Sequence, residues 1–373
     1  MSWQITKDDL SDLARGATLL GTGGGGDPYI GQMLVEQVLG EGAITILDPD
    51  EIDDDLFVIP TAQMGAPTVM VEKIPAGTEP TLSLRTLEEH LGRKAEATMP
   101  IECGGINSMI PLLVAAETGL PVVDADGMGR AFPELSMETF AVYGVHGSPL
   151  ALAGERGERV IIDTGDDDRQ MEWLARGITI RLGGVGHIAE YAMTGADVKR
   201  TAVPRTLSMA LALGRAIRLA REQKRSPFDA ISDTLATTIY THMRILFEGK
   251  VIDVDRRTTE GFAKGVARIA PADGGEDQLE IRFQNENLIA LRNGRLVAIV
   301  PDLICVVDSD SAEPITTEGL RYGQRVRVLG ISTPDMMRTP EALAAFGPTA
   351  FGLSKSFAPV ESLLASNASI PSH

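Results

Sequence analysis

Cysteine and long apolar runs are both scarce in this sequence. The 373 residues include two cysteines, Cys103 and Cys305, too few for a disulfide framework or a four-cysteine zinc site. No apolar run approaches the ~20 residues that span a bilayer. The polar, acidic N-terminus "MSWQITKDDLSDLARG" has no apolar signal core. We therefore expect a cytoplasmic protein with no membrane partner.

Positive charge is also in short supply. Lys and Arg number 34 against 52 Asp and Glu, which gives a net charge of −18 at pH 7. Such a field repels polyanions, so we expect no nucleic-acid partner. The hydrophobic share of 43% and the charged share of 23% are those of an ordinary globular protein. This composition favours a small molecule as the partner.

Histidine occurs five times, and two of these residues are candidates for a binding cleft. His146 in "YGVHGSP" and His187 in "GGVGHIAE" have glycine neighbours that allow close approach of a ligand. Neither belongs to H-E-x-x-H or a similar ligand spacing. The sequence thus predicts no cofactor and encodes no local metal motif. A divalent metal held by residues distant in sequence remains open.

The first two thirds of the chain alternate between strand-like and helical patterns. Apolar runs such as "AITIL" (43–47) and "LFVIP" (56–60) predict buried strands, and "INSMIPLLVAAETG" (106–119) predicts a helix between strands. Two longer helices are predicted at 203–223 and 227–247. Alternation of this kind is typical of a layered α/β/α domain with a mostly parallel sheet.

The pattern changes near residue 250. From there to about residue 331, seven short strands are separated by turns such as "ADGG" and "RNG", which predicts a smaller all-β, barrel-like domain. We therefore predict an α/β catalytic domain over 1–248, completed by 332–361, and a β-rich domain over 249–331. Residues 362–373 are expected to be a loose tail.

The stretch "GTGGGGDPYIG" (21–31) raises the question of a phosphate-binding loop. Gly21, Gly23 and Gly26 match G-x-G-x-x-G, but a predicted helix precedes them where the dinucleotide fold needs a strand. A Walker A loop is also excluded, since the run ends in Asp27 and not in Lys-Ser/Thr. Two interpretations remain, a backbone cradle for a ligand at a helix N-terminus and a tight turn between helices. The candidate ligand-binding residues here are Gly23, Gly24, Gly25, Gly26 and Asp27.

Polar residues also occur in three loops that each follow a predicted strand, at 63–67, 102–108 and 124–134. Loops beyond the carboxyl ends of strands build the ligand crevice of α/β sheets, so we expect the active site there. Cys103 is open to two interpretations, a nucleophilic thiolate or a small buried residue. The candidate acid/base groups are Glu102, Asp124, Asp126 and Glu134; the candidate binding groups are Gly104, Gly105, Asn107 and Arg130.

Together these motifs resemble the S-methyl thiohydantoin desulfurase-like family. The resemblance rests on "GTGGGGDPYIG", "MGAPTVMVEKIP", "IECGGINS", "PVVDADGMGRAFPE" and "PDLICVVD…YGQRVRVLGI…GPTAFG", and it covers roughly residues 8–361. It implies an α/β domain with a β-rich domain. It also implies hydrolysis of an S-methylated thiohydantoin, a breakdown product of thiohistidine betaines, to a hydantoin with release of methanethiol.

The implied reaction needs a base for water, donors for the ring and an acid for the departing sulfur. Asp124 or Asp126 is a candidate base, and Glu102 or Glu134 a second acid/base. Asn107 is expected to orient the ring. Arg130 would bind a substrate carboxylate or pair with a neighbouring acid.

Two other functions stay open at this stage. One is a non-catalytic ligand-binding or accessory subunit of a hydantoinase- or oxoprolinase-type system. The other is a metal-dependent cyclic amidohydrolase. In each case a heterocyclic small molecule is the expected ligand, and the protein is expected to form a homo-oligomer.

Overall fold

The computed structural model describes residues 1–65, 69, 76–259 and 262–365. In the N-terminal part, short strands alternate with helices. Its strands are β1 (Trp3–Thr6), β2 (Ala43–Leu47), β3 (Phe57–Gly65), β4 (Ala97–Met99), β5 (Val122–Val123), β6 (Ala125–Asp126), β7 (Leu150–Ala153), β8 (Arg159–Ile162), β9 (Val185–Ala189), β10 (Met193–Thr194) and β11 (Val203–Pro204). The strands that follow are β12 (Met243–Thr259), β13 (Phe262–Ala270), β14 (Leu279–Gln284), β15 (Glu286–Arg292), β16 (Arg295–Ile299), β17 (Leu303–Asp308) and β18 (Arg325–Ile331).

Most of the helices belong to the N-terminal part, and the last two follow the final strand. They are α1 (Lys7–Leu20), α2 (Pro28–Leu39), α3 (Glu79–Leu91), α4 (Ile110–Thr118), α5 (Thr139–Val142), α6 (Asp168–Arg181), α7 (Gly195–Thr201), α8 (Thr206–Glu222), α9 (Pro227–Leu235), α10 (Pro340–Phe346) and α11 (Val360–Ala365). Within the described residues, no helix has the length and apolar character needed to cross a membrane.

The larger sheet is mixed. Its strand order is β1-β2-β5-β4-β3-β9-β7-β8, with β10 paired to β3. Parallel pairing is confined to the central strands β2, β5, β4 and β3, while β1, β7, β8, β9 and β10 all pair antiparallel. The expectation of a mostly parallel sheet therefore holds only at the centre, because antiparallel strands extend both sides.

The second sheet is entirely antiparallel, in the order β16-β15-β14-β13-β12-β18-β17. Its two edge strands contact each other, so the sheet is curled. In β14 the alternation of Leu279, Ile281 and Phe283 with more exposed residues places one face in the core. This β-rich part, residues 243–331, confirms the prediction of all-β structure after the α/β part.

Two predicted segments end differently in the structure. The helix expected over 227–247 stops at Leu235, and residues from Met243 onward form the long strand β12. The run "MRILFEGKVIDVD" has the β-branched content of a strand, but its apolar start also fits a helical period. The expected tail at 362–373 begins as helix, because α11 continues to Ala365; residues 366–373 lie outside the described residues.

The glycine run connects two well-defined helices. Thr6 and Asp9 form a capping box at the start of α1. Helix α2 starts at Pro28, and the Asp27 side chain accepts a hydrogen bond from the Tyr29 N–H. A helix therefore precedes the run, which confirms the reason for rejecting a dinucleotide fingerprint, and Asp27 is a helix cap.

Arg130 joins the N-terminal part to the β-rich part. Its side chain is 0% exposed and donates to the backbone carbonyls of Asn287, Pro301 and Asp302 at 3.0–3.2 Å. The guanidinium also lies 4.8 Å from the ring centroid of Phe132. A guanidinium is always charged and has several N–H groups, so it can donate to several carbonyls at once. Arg130 therefore links the two parts by hydrogen bonds, and the link is called the Arg130 tie below.

We expect the Arg130→Met variant to lose about 3–5 kcal/mol of unfolding free energy, since it leaves buried carbonyls without donors. Arg159→Met is the control, because Arg159 forms an exposed ion pair with Glu89 and should cost less than ~1 kcal/mol. Urea unfolding followed by circular dichroism measures both. Equal, small losses in the two variants would contradict the tie.

Candidate active site

The glycine run is held by hydrogen bonds from the β-rich part and from a neighbouring loop. Its Thr22 and Gly23 carbonyls accept from the N–H groups of Asn287 (2.8 Å) and Thr317 (2.7 Å). The Gly25 carbonyl accepts from the Ile106 N–H at 2.9 Å. The run is therefore a junction between three segments of the chain.

Glycine is needed here because the segments approach closely. A Cβ on Gly24 would lie 2.0 Å from the Glu286 Oε1 atom. A Cβ on Gly25 would lie 2.5 Å from the Gly104 carbonyl oxygen, and one on Gly105 would lie 2.2 Å from the Gly25 carbonyl oxygen. Gly25 and Gly105 also have φ of +73° and +63°, which favours glycine.

A small cavity of about 70 Å³ lies at this junction. It opens beside a larger groove of about 1600 Å³, and the two share Glu134 and Arg176 in their walls. The cavity is lined by Gly25, Gly26, Gln63, Met64, Gly65, Ile101, Glu102, Ile106, Asn107, Met128, Phe132, Pro133, Glu134, Leu135, Arg176, Asn285 and Glu286. It has room for only a few atoms of a ligand, so the rest of a ligand would extend into the groove.

Glu102 is the first acidic group of this cavity. Its Oε1 accepts a hydrogen bond from the Asn107 amide at 2.8 Å, and its Oε2 is buried with no partner. Asn107 is fixed in turn by hydrogen bonds to the backbone of Gln63. Burial, together with the nearby Glu286 carboxylate, raises the pKa of Glu102 well above its usual value.

Glu286, at the start of β15, supplies a second carboxyl from the β-rich part. Its Oε1 accepts from the Gly25 N–H at 3.3 Å, and its Oε2 is buried without a partner. Burial raises the pKa of Glu286 to about 8, and the positive charge of Arg130 opposes that rise. Two carboxyls from segments 184 positions apart in sequence (286 − 102) thus line one cavity.

Glu134 and Arg176 form the boundary between cavity and groove. Arg176 donates to the Glu172 carboxylate and to the Pro133 carbonyl and lies over the Phe262 ring, 4.6 Å from its centroid. Burial and the Glu172 carboxylate raise the pKa of Glu134. This boundary therefore carries both signs of charge, unlike the interior.

The loop after β5 is built around Asp126. Its carboxylate accepts from the N–H groups of Cys103 (2.5 Å), Met128 (3.0 Å) and Gly129 (2.6 Å). Burial raises the pKa of Asp126 to about 7, against the effect of these hydrogen bonds. Asp126 thus holds the Cys103 and Met128 backbone in place beside the cavity but does not line it.

Asp124 and Cys103 also have structural partners. Asp124 accepts from the Ser208 N–H at 3.0 Å, near the start of α8. The Cys103 thiol donates to the Thr206 carbonyl, and burial raises the pKa of that thiol well above its usual value, which opposes thiolate formation. The catalytic role expected for Asp124 stays a prediction.

The two histidines lie apart from each other. His146 is exposed, with its Nδ1 atom 3.0 Å from Asp168. His187 is buried in β9 opposite Gln63, and burial lowers its pKa to about 3.

The structure brings together five of the predicted site residues and leaves the others outside the cavity lining. Those in the lining are Gly25, Gly26, Glu102, Asn107 and Glu134; those outside it are Gly23, Gly24, Asp27, Gly104, Gly105, Asp124, Asp126, Arg130, His146 and His187. Gly24, Gly104 and Gly105 still shape the wall from behind through the contacts given above.

Sequence reasoning missed Glu286 and Gln63. Glu286 begins the run "ENLIALR", in which every residue up to Leu291 is buried. A charged residue at the start of a buried strand is the signal that marks it, since burying an unpaired charge is costly. Gln63 was within a predicted strand-end loop but carries no distinctive motif.

The described residues include no group of three or more His, Cys, Asp or Glu side chains arranged to hold a metal ion. The acidic side chains that line the cavity are Glu102 and Glu286 in its interior and Glu134 at its boundary with the groove. Fold and site together define a two-part, mixed α/β protein with a small acidic cavity at the junction of the parts.

The chain belongs to the S-Me-THD-like family. The family's N-terminal domain model matches residues 8–164, and its C-terminal domain model matches residues 166–360. This confirms the family suggested by the sequence motifs. A crystal structure of a protein from Chromobacterium violaceum is similar, with 27% sequence identity and a TM-score of 0.81 over 96% of this chain and 100% of that chain. Among curated proteins, no sequence matches this chain.

We expect Gly24→Ala to cost about 1–3 kcal/mol of unfolding free energy, because the added Cβ collides with the Glu286 carboxylate. Gly177→Ala is the matched control: neither glycine has a positive φ, and nothing lies within 4 Å of a Cβ at Gly177. That helical position should gain up to ~1 kcal/mol. Urea unfolding of both variants tests the contact, and a Gly24→Ala variant as stable as the wild type would contradict it.

We expect Glu286→Gln to become more stable than the wild type as the pH rises from 5 to 8. The pKa of Glu286 is about 8 in the folded protein, against 4.5 for an ordinary glutamate, as in the unfolded chain. Between these two pH values the folded protein retains a proton that the unfolded chain releases. Raising the pH therefore favours unfolding of the wild type, by up to ~1.4 kcal/mol per pH unit for one group.

Unfolding free energies at pH 5, 6.5 and 8 measure this difference. Glu89→Gln, a change at an exposed ion pair, should follow the wild type at every pH. A constant offset between Glu286→Gln and the wild type across the range would show that Glu286 is not a buried, titrating carboxyl.

Proposed function

We propose that this protein is a hydrolase that converts an S-methylated thiohydantoin to a hydantoin and releases methanethiol. The family membership supports the ring class. The observation that carries the reaction type is the carboxyl pair: Glu102 and Glu286 line one cavity, and each has a buried Oε2 without a partner. Paired carboxyls in a dry site are suited to general acid and base work.

The surroundings of the two carboxyls support a different role for each. Arg130 favours the ionised form of Glu286, whereas Glu102 lies near the carboxylates of Glu286 and Asp126. When the pair holds one proton, Glu286 is therefore the group that ionises first. Glu286 acts as the base for water, and Glu102 acts as the acid for the departing sulfur.

The reaction then follows from these positions. The water oxygen bonds to the ring carbon that carries sulfur, and Glu286 takes a proton from that water. The carbon–sulfur bond breaks, and Glu102 protonates the sulfur so that methanethiol leaves. The hydroxyl proton left on the ring carbon then passes to Glu102, and the proton on Glu286 goes to the ring nitrogen, which leaves the hydantoin and restores both carboxyls. Asn107 keeps the Glu102 carboxyl oriented toward the ring through its hydrogen bond to Oε1.

Purified protein should release methanethiol from an S-methylated thiohydantoin above a heat-killed control. Glu102→Gln and Glu286→Gln should each lower kcat by about 10²–10⁴-fold, the usual contribution of a general acid or base. Glu190→Gln is the matched control, because Glu190 is fully buried with both carboxylate oxygens unpartnered but lines neither the cavity nor the groove.

Wild-type rates in both cavity variants would contradict the assigned roles. Binding of hydantoins without turnover by the wild-type protein would contradict the hydrolase and favour a ligand-binding subunit. Activity that disappears on chelation and returns with a stoichiometric metal would favour a metal-dependent amidohydrolase.

A further inference from the structure

We propose that the cavity binds its heterocycle as the N-protonated, amidinium-type cation and not as the neutral ring. The proposal rests on the proposed function for the identity of the ring. The charge of the ligand is inferred from the hydrogen-bonding groups of the cavity. These groups would contact any ligand that enters, whatever its ring.

The unpartnered buried side-chain atoms of the cavity are all oxygens. Among the described lining residues they are Gln63 Oε1, Glu102 Oε2 and Glu286 Oε2. The exposed fractions of these side chains are 7%, 5% and 2%, so bulk water does not satisfy them. Turning the Gln63 amide over would exchange its acceptor for a donor, whereas the Glu286 carboxylate, once ionised, only accepts.

Two of the donors near these oxygens are already engaged. The Asn107 amide nitrogen donates to Glu102 and to the Gln63 carbonyl. At the rim, Arg176 directs its Nε to Glu172 and its Nη2 to the Pro133 carbonyl. A ligand that brings its own N–H donors can therefore satisfy the oxygens that these two groups leave free.

The charges around the pair favour a cation for the same reason. Glu102 is faced by Glu286, Asp126 and Asn107. Glu286 is faced by Arg130 and Glu318 and accepts from the Gly25 N–H. Arg130 donates its hydrogen bonds to backbone carbonyls, and its positive charge offsets only part of the effect of burial on Glu286.

Protons neutralise the empty pair at neutral pH, and a bound cation can replace one of them. Burial holds the pKa of Glu286 at about 8 and that of Glu102 above its usual value. Entry of an amidinium cation expels one proton, which leaves Glu286 ionised beside the positive ring and Glu102 neutral. Glu102, Glu286 and the bound cation then carry no net charge together. The N–H groups of the cation have the free oxygens of the cavity as acceptors.

This protonation state also prepares the reaction. Protonation of the ring nitrogen withdraws electrons from the carbon that bears sulfur. Water adds to that carbon and gives one proton to Glu286, while Glu102 gives its proton to sulfur as the carbon–sulfur bond breaks. The remaining hydroxyl proton passes to Glu102 and leaves a neutral hydantoin. Both carboxyls are then protonated, as in the empty cavity, and one proton is released when the next cation binds.

Acetamidinium and acetamide are matched probes for this proposal, because they share shape and differ in charge and in donors. Isothermal titration of the full-length protein at pH 6, 7 and 8 measures both. We expect acetamidinium to bind at least tenfold more tightly than acetamide at pH 8. Its affinity should weaken by up to ~10-fold per pH unit on going down to pH 6, since binding displaces a proton. The binding enthalpies measured in phosphate and in Tris should differ, because the buffer takes up the released proton. The size of the difference should correspond to about one proton per cation bound.

Glu286→Gln should abolish the pH dependence and the preference for the cation. Glu190→Gln, the buried carboxyl outside the cavity, should retain both. Equal binding of the two probes, a pH-independent affinity for acetamidinium, or an unchanged preference in Glu286→Gln would each overturn the proposal. Cation binding without methanethiol release would leave this inference standing and remove the proposed reaction; methanethiol release without a preference for the cation would do the reverse.

Discussion

The close contact between the glycine run and the loop at Gly104–Gly105 is the constraint on which the site depends. The Gly25 carbonyl lies where a side chain on Gly105 would have to be, and the Gly104 carbonyl lies where a side chain on Gly25 would have to be. No residue with a Cβ fits at this crossing without moving backbone. Because the contact is so short, Gly25 reaches the cavity with its N–H directed at Glu286, and the β-rich part closes against the N-terminal part at the same place.

The buried carboxyls are costly, and the interface between the parts supports them. Removing a carboxyl from water raises its free energy unless it holds a proton or finds a charge partner. Arg130 offsets part of that cost at Glu286 through its charge while it ties three carbonyls of the β-rich part. The same arginine therefore stabilises the junction and favours the ionised form of Glu286. A free-energy cost at one site that is offset by interactions elsewhere is typical of functional sites.

Local patterns predicted the elements better than their assembly. The helix before the glycine run and the all-β second part follow from propensity and periodicity, which are local. Long-range pairing is not encoded by any short pattern. It decides that the antiparallel strands β7, β8 and β9 join the sheet. It also decides that the chain forms a strand from Met243, where a helix was predicted. The cavity shows the same division. Glu102 and Asn107 were found from a strand-end loop and the glycine run from its composition, whereas Glu286 reaches the cavity from a distant strand with no motif of its own.

Charge alone did not distinguish building residues from binding residues, but hydrogen bonding does. Asp126 and Arg130 were expected at the ligand, and both are buried, yet their polar atoms are engaged with backbone groups. Glu102 and Glu286 keep one free oxygen each in the wall of a cavity. A free oxygen is not sufficient by itself, since Glu138 and Glu190 have unpartnered oxygens and line neither the cavity nor the groove. A buried polar atom without a partner costs free energy, and a ligand can recover that cost only where there is space beside the atom. Glu102 and Glu286 meet both conditions at one junction, which is why the proposed chemistry is assigned to them.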